Sequence, residues 1–94
     1  MNKYESVIII SPKLDEGKID NIIQKVKDII EENGEVTKVD KMGVKRLAYE
    51  INKCKEGYYI TFDFEADPSI ISELERNYKI NENIIKFITV RKDD

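Results

Sequence analysis

The sequence predicts an α+β fold, one four-stranded antiparallel sheet with two helices on one face. Three observations predict it. Two segments place apolar residues at the i, i+3, i+4, i+7 spacing of an amphipathic helix. Four others are short and rich in β-branched or aromatic residues, as strands are. They follow one another as strand, helix, strand, strand, helix, strand.

Residues 4–10 (YESVIII) read as a buried strand. Ser11-Pro12 closes it, because proline cannot serve an inner strand. Residues 15–33 are the clearest helix. Ile19, Ile22, Ile23, Val26, Ile29 and Ile30 share one face, which a neighbouring sheet would bury. Asp15 is placed to cap the first N–H groups, and Leu14 and Ile19 to form a hydrophobic staple. Gly34 follows the last turn, where a left-handed residue ends a helix at little steric cost.

Residues 35–51 alternate loosely through Val36, Val39, Val44, Leu47, Tyr49 and Ile51. The phase slips near Met42-Gly43, and a glycine inside a strand marks a bulge or bend. Two strand pieces around Gly43 are expected. Residues 52–57 (NKCKEG) form a hairpin loop. Residues 58–65 (YYITFDFE) are the next strand, with Ile60, Phe62 and Phe64 on one face and Tyr59, Thr61, Asp63 and Glu65 on the other. Asp67-Pro68 opens a second helix, with Asp as N-cap and Pro at the first helical position. Its stripe is Ile70, Ile71, Leu74 and Tyr78. A turn at 79–83 leads to the last strand, 84–91 (IIKFITVR).

This order is that of the ferredoxin-like plait, βαββαβ. Right-handed crossovers place both helices on one face and leave the other open. At 94 residues the chain is expected to be one domain, 1–94. Hydrophobic residues at 40% against 37% charged give a globular rather than disordered balance. No apolar run approaches the ~20 residues of a membrane span, and no signal core follows the N-terminus. A soluble, cytoplasmic protein without membrane contact is expected.

Two composition facts narrow the chemistry. Histidine is absent, which removes His-based acid–base catalysis and His-ligated metals. The single cysteine, Cys54, lies between Lys53 and Lys55 with no base or second thiol in sequence reach. The glycines are scattered, so no phosphate loop exists, and the acidic pairs lack metal-loop spacing. No catalytic residue, metal site or cofactor is expected.

The net charge is −3, yet charge is unevenly spread. Between Lys38 and Lys55 six cations (Lys38, Lys41, Lys45, Arg46, Lys53, Lys55) face two anions (Asp40, Glu50). A cationic stretch on an acidic body suggests a polyanion-facing region. The competing explanation is lysines that keep an edge strand from aggregating. Alternation puts Lys45, Leu47, Tyr49 and Ile51 on one face and Val44, Arg46, Ala48 and Glu50 on the other. A second cluster is Lys86, Arg91 and Lys92, partly offset by Asp93 and Asp94. The plait makes the first and last strands neighbours, so Lys3 would join it in one patch. Solubilising charge is the alternative. Residues 55–62 resemble the third-strand signature of RNA-recognition motifs. The face assignment speaks against that, because only Tyr59 would reach the open face. Both faces of 84–91 carry apolar residues, so Ile85 and Phe87 stay unassigned between core and open face.

Four stretches then carry a resemblance. They are Met1-Asn2-Lys3-Tyr4-Glu5, Gly43-Val44-Lys45-Arg46-Leu47-Ala48-Tyr49-Glu50-Ile51, Lys53…Gly57-Tyr58-Tyr59 and Asn83-Ile84-Ile85-Lys86-Phe87. Together they resemble the bacterial small-subunit ribosomal protein six family over nearly the whole chain. The resemblance implies a non-enzymatic constituent of the 30S small subunit. It implies binding to the central domain of 16S rRNA together with small-subunit ribosomal protein eighteen, a small basic partner. RNA contact would fall on Lys3, Tyr4, Lys45, Arg46, Lys53, Lys86 and Arg91, with Lys55 and Lys92 beside them. One departure stands out: many members begin the last strand with two adjacent basic residues, and this chain has Ile85-Lys86. The apolar part of the open face, Val7, Ile9 and Tyr59, is expected to receive the protein partner, and the free protein to be a monomer. The alternative is a regulatory plait that dimerises around a metabolite. An acylphosphatase-like enzyme would need an Arg in the loop after the first strand, and Ser11-Pro12-Lys13 has none.

Overall fold

A computed structural model describes residues 1–51 and 53–92. Asn52, read as part of the hairpin loop, and the chain-end Asp93 and Asp94 lie outside the described residues. The elements are β1 (Asn2–Ile10), α1 (Glu16–Glu31), β2 (Gly34–Ile51), β3 (Cys54–Ala66), α2 (Ile70–Ile80) and β4 (Ile84–Arg91). The strands form one sheet in the order β2-β3-β1-β4, with every neighbour antiparallel. This is the plait that the element order predicts.

The core lies between the sheet and the helices. Antiparallel register sets Tyr4 opposite Phe64, Ser6 opposite Phe62 and Ile8 opposite Ile60, all on the helix side. Onto them pack Ile19, Ile22, Ile23, Val26 and Ile30 of α1 and Ile70, Leu74 and Tyr78 of α2. Ile29, the remaining member of the predicted stripe, is half-buried against the same cluster. Each such aliphatic side chain contributes about 1.5–3 kcal/mol on burial. Among the described residues, Ser6 is the polar side chain buried inside. Ser6 shares hydrogen bonds with the Tyr78 hydroxyl (2.7 Å) and the Thr89 hydroxyl (3.1 Å), so its burial leaves no unpaired group.

The element ends differ from the sequence reading in instructive ways. Asp15 caps α1 as expected, accepting from the Lys18 N–H at 2.9 Å. The helix stops at Glu31, and Gly34 already belongs to β2. Gly34 is therefore no helix terminator. A Cβ there would run into the Glu65 carbonyl and Ala66 across the strand pair. The glycine at positive φ is Gly43, at 87°. It bends β2, where the register shifts between Lys41 and Gly43, but the ladder continues, so the two pieces are one strand. Residues 54–57 are not loop either. Ile51 pairs with Cys54, and Lys53 takes φ 64° in the tight turn. The second helix begins at Ile70 rather than at Asp67-Pro68. The Asp67 carboxylate accepts from the Ser69 N–H at 2.9 Å, making a side-chain turn before the helix. That N–H holds the Asp67 carboxyl below its ordinary range.

The last strand acquires its phase from β1. Ser6 faces Thr89 and Ile8 faces Phe87 on the helix side, while Val7 faces Ile88 and Glu5 faces Val90 on the open side. The pairing slips between Ile9, opposite Lys86, and Ile10, opposite Ile84, so Ile85 is the extra residue of a bulge. Phe87 packs half-buried against the core, its ring 5.2 Å from that of Tyr78.

Candidate functional site on the open sheet face

Four residues define one end of the open face. Across the sheet, Lys86 of β4 lies opposite Ile9 of β1, which lies opposite Tyr59 of β3. Lys45 of β2 reaches the same place, its ammonium 5.8 Å from the Tyr59 ring centre. Two cations more than forty positions apart in sequence are thus brought to one end of the face by the register.

Beyond this end the β2–β3 hairpin does not project freely. It folds back over the sheet. Gly57 makes room: a Cβ there would strike Ile9 and come within 3.6 Å of Leu47. Leu47 and Ile9 settle over it, each only 8% exposed. Farther along, the Tyr49 hydroxyl accepts from the Lys86 ammonium at 3.3 Å. β2 and β4 are opposite edges of the sheet, so this bond spans the open face. Arg46, Tyr49 and Lys55 line a shallow concavity of about 210 Å³ on the arm, together with Leu47, Ala48 and Glu50. Lys53 is exposed in the turn at its tip.

The other end has a different character. Lys92 pairs with Asp63 at 3.4 Å, and Asp63 lies opposite Glu5. Lys3 lies opposite Glu65. Arg91 donates to the Asn2 side chain at 3.2 Å. The expected single patch of Lys3, Lys86, Arg91 and Lys92 is therefore divided. Lys86 joins the hairpin cations. Lys3 and Lys92 sit at the far end of the face among carboxylates, and Arg91, opposite Tyr4, lies on the helix side. Lys41 is also drawn away. It bridges to Asp20 (2.7 Å) and Glu16 (3.4 Å) of α1, and the Asp20 hydrogen bond first of all raises its pKa above the ordinary lysine value.

Several expected site residues stand differently from their sequence reading. Tyr4 is 8% exposed, with its ring stacked on Phe64 at 5.5 Å and its hydroxyl accepting from Asn2 at 3.2 Å. Its ring is given to the core. Ile9 does point to the open side, but Leu47 covers it, so it is not offered to a partner. Val7 and Tyr59 keep partial exposure there. The apolar surface that the sequence did not phase is Ile88 (57% exposed) and Val90 (44%) of β4, beside Val7. Tyr49 was also missed as a site residue. Alternation gave its face, but nothing local in sequence could show that the arm folds onto Lys86.

The molecule is thus a ferredoxin-like plait whose uncovered sheet face is cationic at one end, mixed in charge at the other and apolar along β4. No helix among the described residues is long and apolar enough to cross a membrane. The family model for ribosomal protein S6 matches residues 3–91. The small ribosomal subunit protein bS6 of Desulforamulus reducens is 45% identical over all of both chains. That of Halalkalibacterium halodurans is 43% identical over 100% of this chain and 99% of its own. The crystal structure of 30S ribosomal protein S6 from Thermotoga maritima matches with a TM-score of 0.91 at 40% identity, over 97% of this chain and 87% of that one. The chain belongs to the ribosomal protein S6 family, and it is a structural protein of the small ribosomal subunit rather than an enzyme. Its place is the cytoplasmic ribosome.

Proposed function

We propose that this chain binds the central domain of 16S rRNA together with small-subunit ribosomal protein eighteen during 30S assembly. The observation that carries the reading is the convergence of Lys45 and Lys86 at the hairpin end of the open face. Arg46, Lys53 and Lys55 on the arm extend that cationic end. Ammonium and guanidinium groups there would neutralise phosphates and release counterions, the main source of affinity for RNA backbone. Binding would follow the shape of the folded RNA more than its sequence.

The basic protein partner takes the rest of the face in this reading. Val7, Ile88 and Val90 supply apolar contact, and Tyr59 borders it. Glu5, Asp63 and Glu65 nearby supply charge complementary to a basic chain. Lys3 and Lys92 stand at the edge of that region, where RNA and partner would meet, and Arg91 borders it from the helix side. Tyr4 contributes by packing the strand that carries Lys3. The free protein is a monomer.

A mobility shift with a central-domain 16S rRNA fragment tests this, run with and without the basic partner at two salt concentrations. Tight, salt-sensitive binding that needs the partner is the expected result. Absence of binding in every condition overturns the proposal.

A further inference from the structure

We propose that Tyr49 is a stacking platform for one unpaired base of the RNA, a site for a single-stranded nucleotide on an otherwise backbone-reading surface. The inference rests on the RNA reading above. Tyr49 is 65% exposed, unusual for an aromatic residue on a tied-down arm. Its position is fixed. Leu47, two residues before it, is buried over Gly57, and its hydroxyl is held by Lys86. The geometry of that tie matters. The Lys86 ammonium is 3.3 Å from the hydroxyl oxygen and 5.5 Å from the ring centre, so it lies beyond the oxygen and not above the ring. The π-face is left for another planar group. Tyr59 differs: it is half-buried, and Lys45 lies toward its ring.

The surroundings select a nucleotide over an apolar protein side chain. Lys86 stands at the edge of the Tyr49 ring, and Arg46 and Lys55 line the adjoining concavity against the single carboxylate of Glu50. A base stacked on the ring would place its flanking phosphates among these cations. Stacking on a fixed ring with cations at its rim is how single strands are held without sequence readout.

The chain contains no tryptophan, which makes the test direct. Tyr49→Trp introduces a lone indole at the site. Its emission should be quenched when the central-domain 16S rRNA fragment is added to the complex with the basic partner. Tyr49→Leu should weaken binding of that fragment by roughly 5- to 100-fold, the range a lost base stack produces. Tyr49→Phe keeps the ring and should lose less. Thermal midpoints close to the parent's confirm folding, as an exposed ring predicts. Parent-like RNA affinity in Tyr49→Leu overturns the proposal. So does indole emission that ignores RNA, or that responds to the partner protein alone, which would assign the ring to the protein interface. If the parent chain itself fails to bind the fragment, the RNA reading falls first and this site with it.

Discussion

Ser6, Tyr78 and Thr89 show how one buried polar group is made tolerable. Their hydroxyls satisfy one another between sheet and helix, where an unpaired hydroxyl would cost about 1–3 kcal/mol. Burial first of all raises the Tyr78 pKa well above the ordinary tyrosine value, and the Glu75 carboxylate adds to it against the opposing Ser6 hydrogen bond. The sign of the consequence follows. The folded chain keeps this proton where the unfolded chain, titrating near ~10, releases it. The stability is complete below about pH 10 and is lost as pH rises. Tyr78→Phe should lower stability by about 1 kcal/mol at neutral pH. It should also flatten the fall in thermal midpoint between roughly pH 9.5 and 11.5 relative to the parent. Parallel midpoint curves for the two proteins would show that Tyr78 does not drive the alkaline loss. Nothing in the sequence marked Ser6 for this role, because its partners are 72 and 83 positions away.

Among the elements, the β2–β3 arm does most to create the site. Its bend begins at Gly43, whose φ of 87° is a left-handed conformation with open space around the missing Cβ. Gly43→Ala should therefore cost only the backbone penalty, about 1–2 kcal/mol. Gly57→Ala acts by a different route, because its Cβ meets Ile9 under Leu47. It should lower stability by about 1–3 kcal/mol and lift the arm from the sheet. Amide exchange checks both: Gly57→Ala should speed exchange around Leu47, and a protected arm would contradict the packing role. The helices were the most legible part of the sequence, since Ile19 through Ile30 and Ile70 through Tyr78 repeat at helical spacing. Gly43 was legible as a bulge for the same local reason. Gly34 was misread because a glycine after a helix has two explanations, and only the neighbouring strand reveals the close approach. The phase of β4 was hidden by Phe87, Ile88 and Val90, apolar on both faces. It is set by pairing with β1, a contact that the chain itself does not announce.

Across the whole molecule, a net-acidic protein presents a local cationic end by register rather than by composition. The Lys38–Lys55 run was visible in sequence. Its division was not: Lys41 turns to α1, while Lys45 joins a lysine from the opposite edge strand. Long-range pairing also separates Lys86 from Arg91 and Lys92, which linear proximity had grouped. A charge run is thus a guide to where a binding surface begins, and the sheet order decides which members share it. In the proposed reading, the remainder of the face, apolar along β4 and mixed in charge at its far end, is where the basic protein docks, apart from the RNA. The measurement that tests this division most directly is the salt dependence of RNA binding by the Lys45→Ala/Lys86→Ala double variant in the presence of the basic partner. Two lost phosphate contacts should weaken binding and reduce the slope of log K against log salt by about 1.5–2. A slope equal to the parent's would show that the hairpin end of the open face does not meet the RNA.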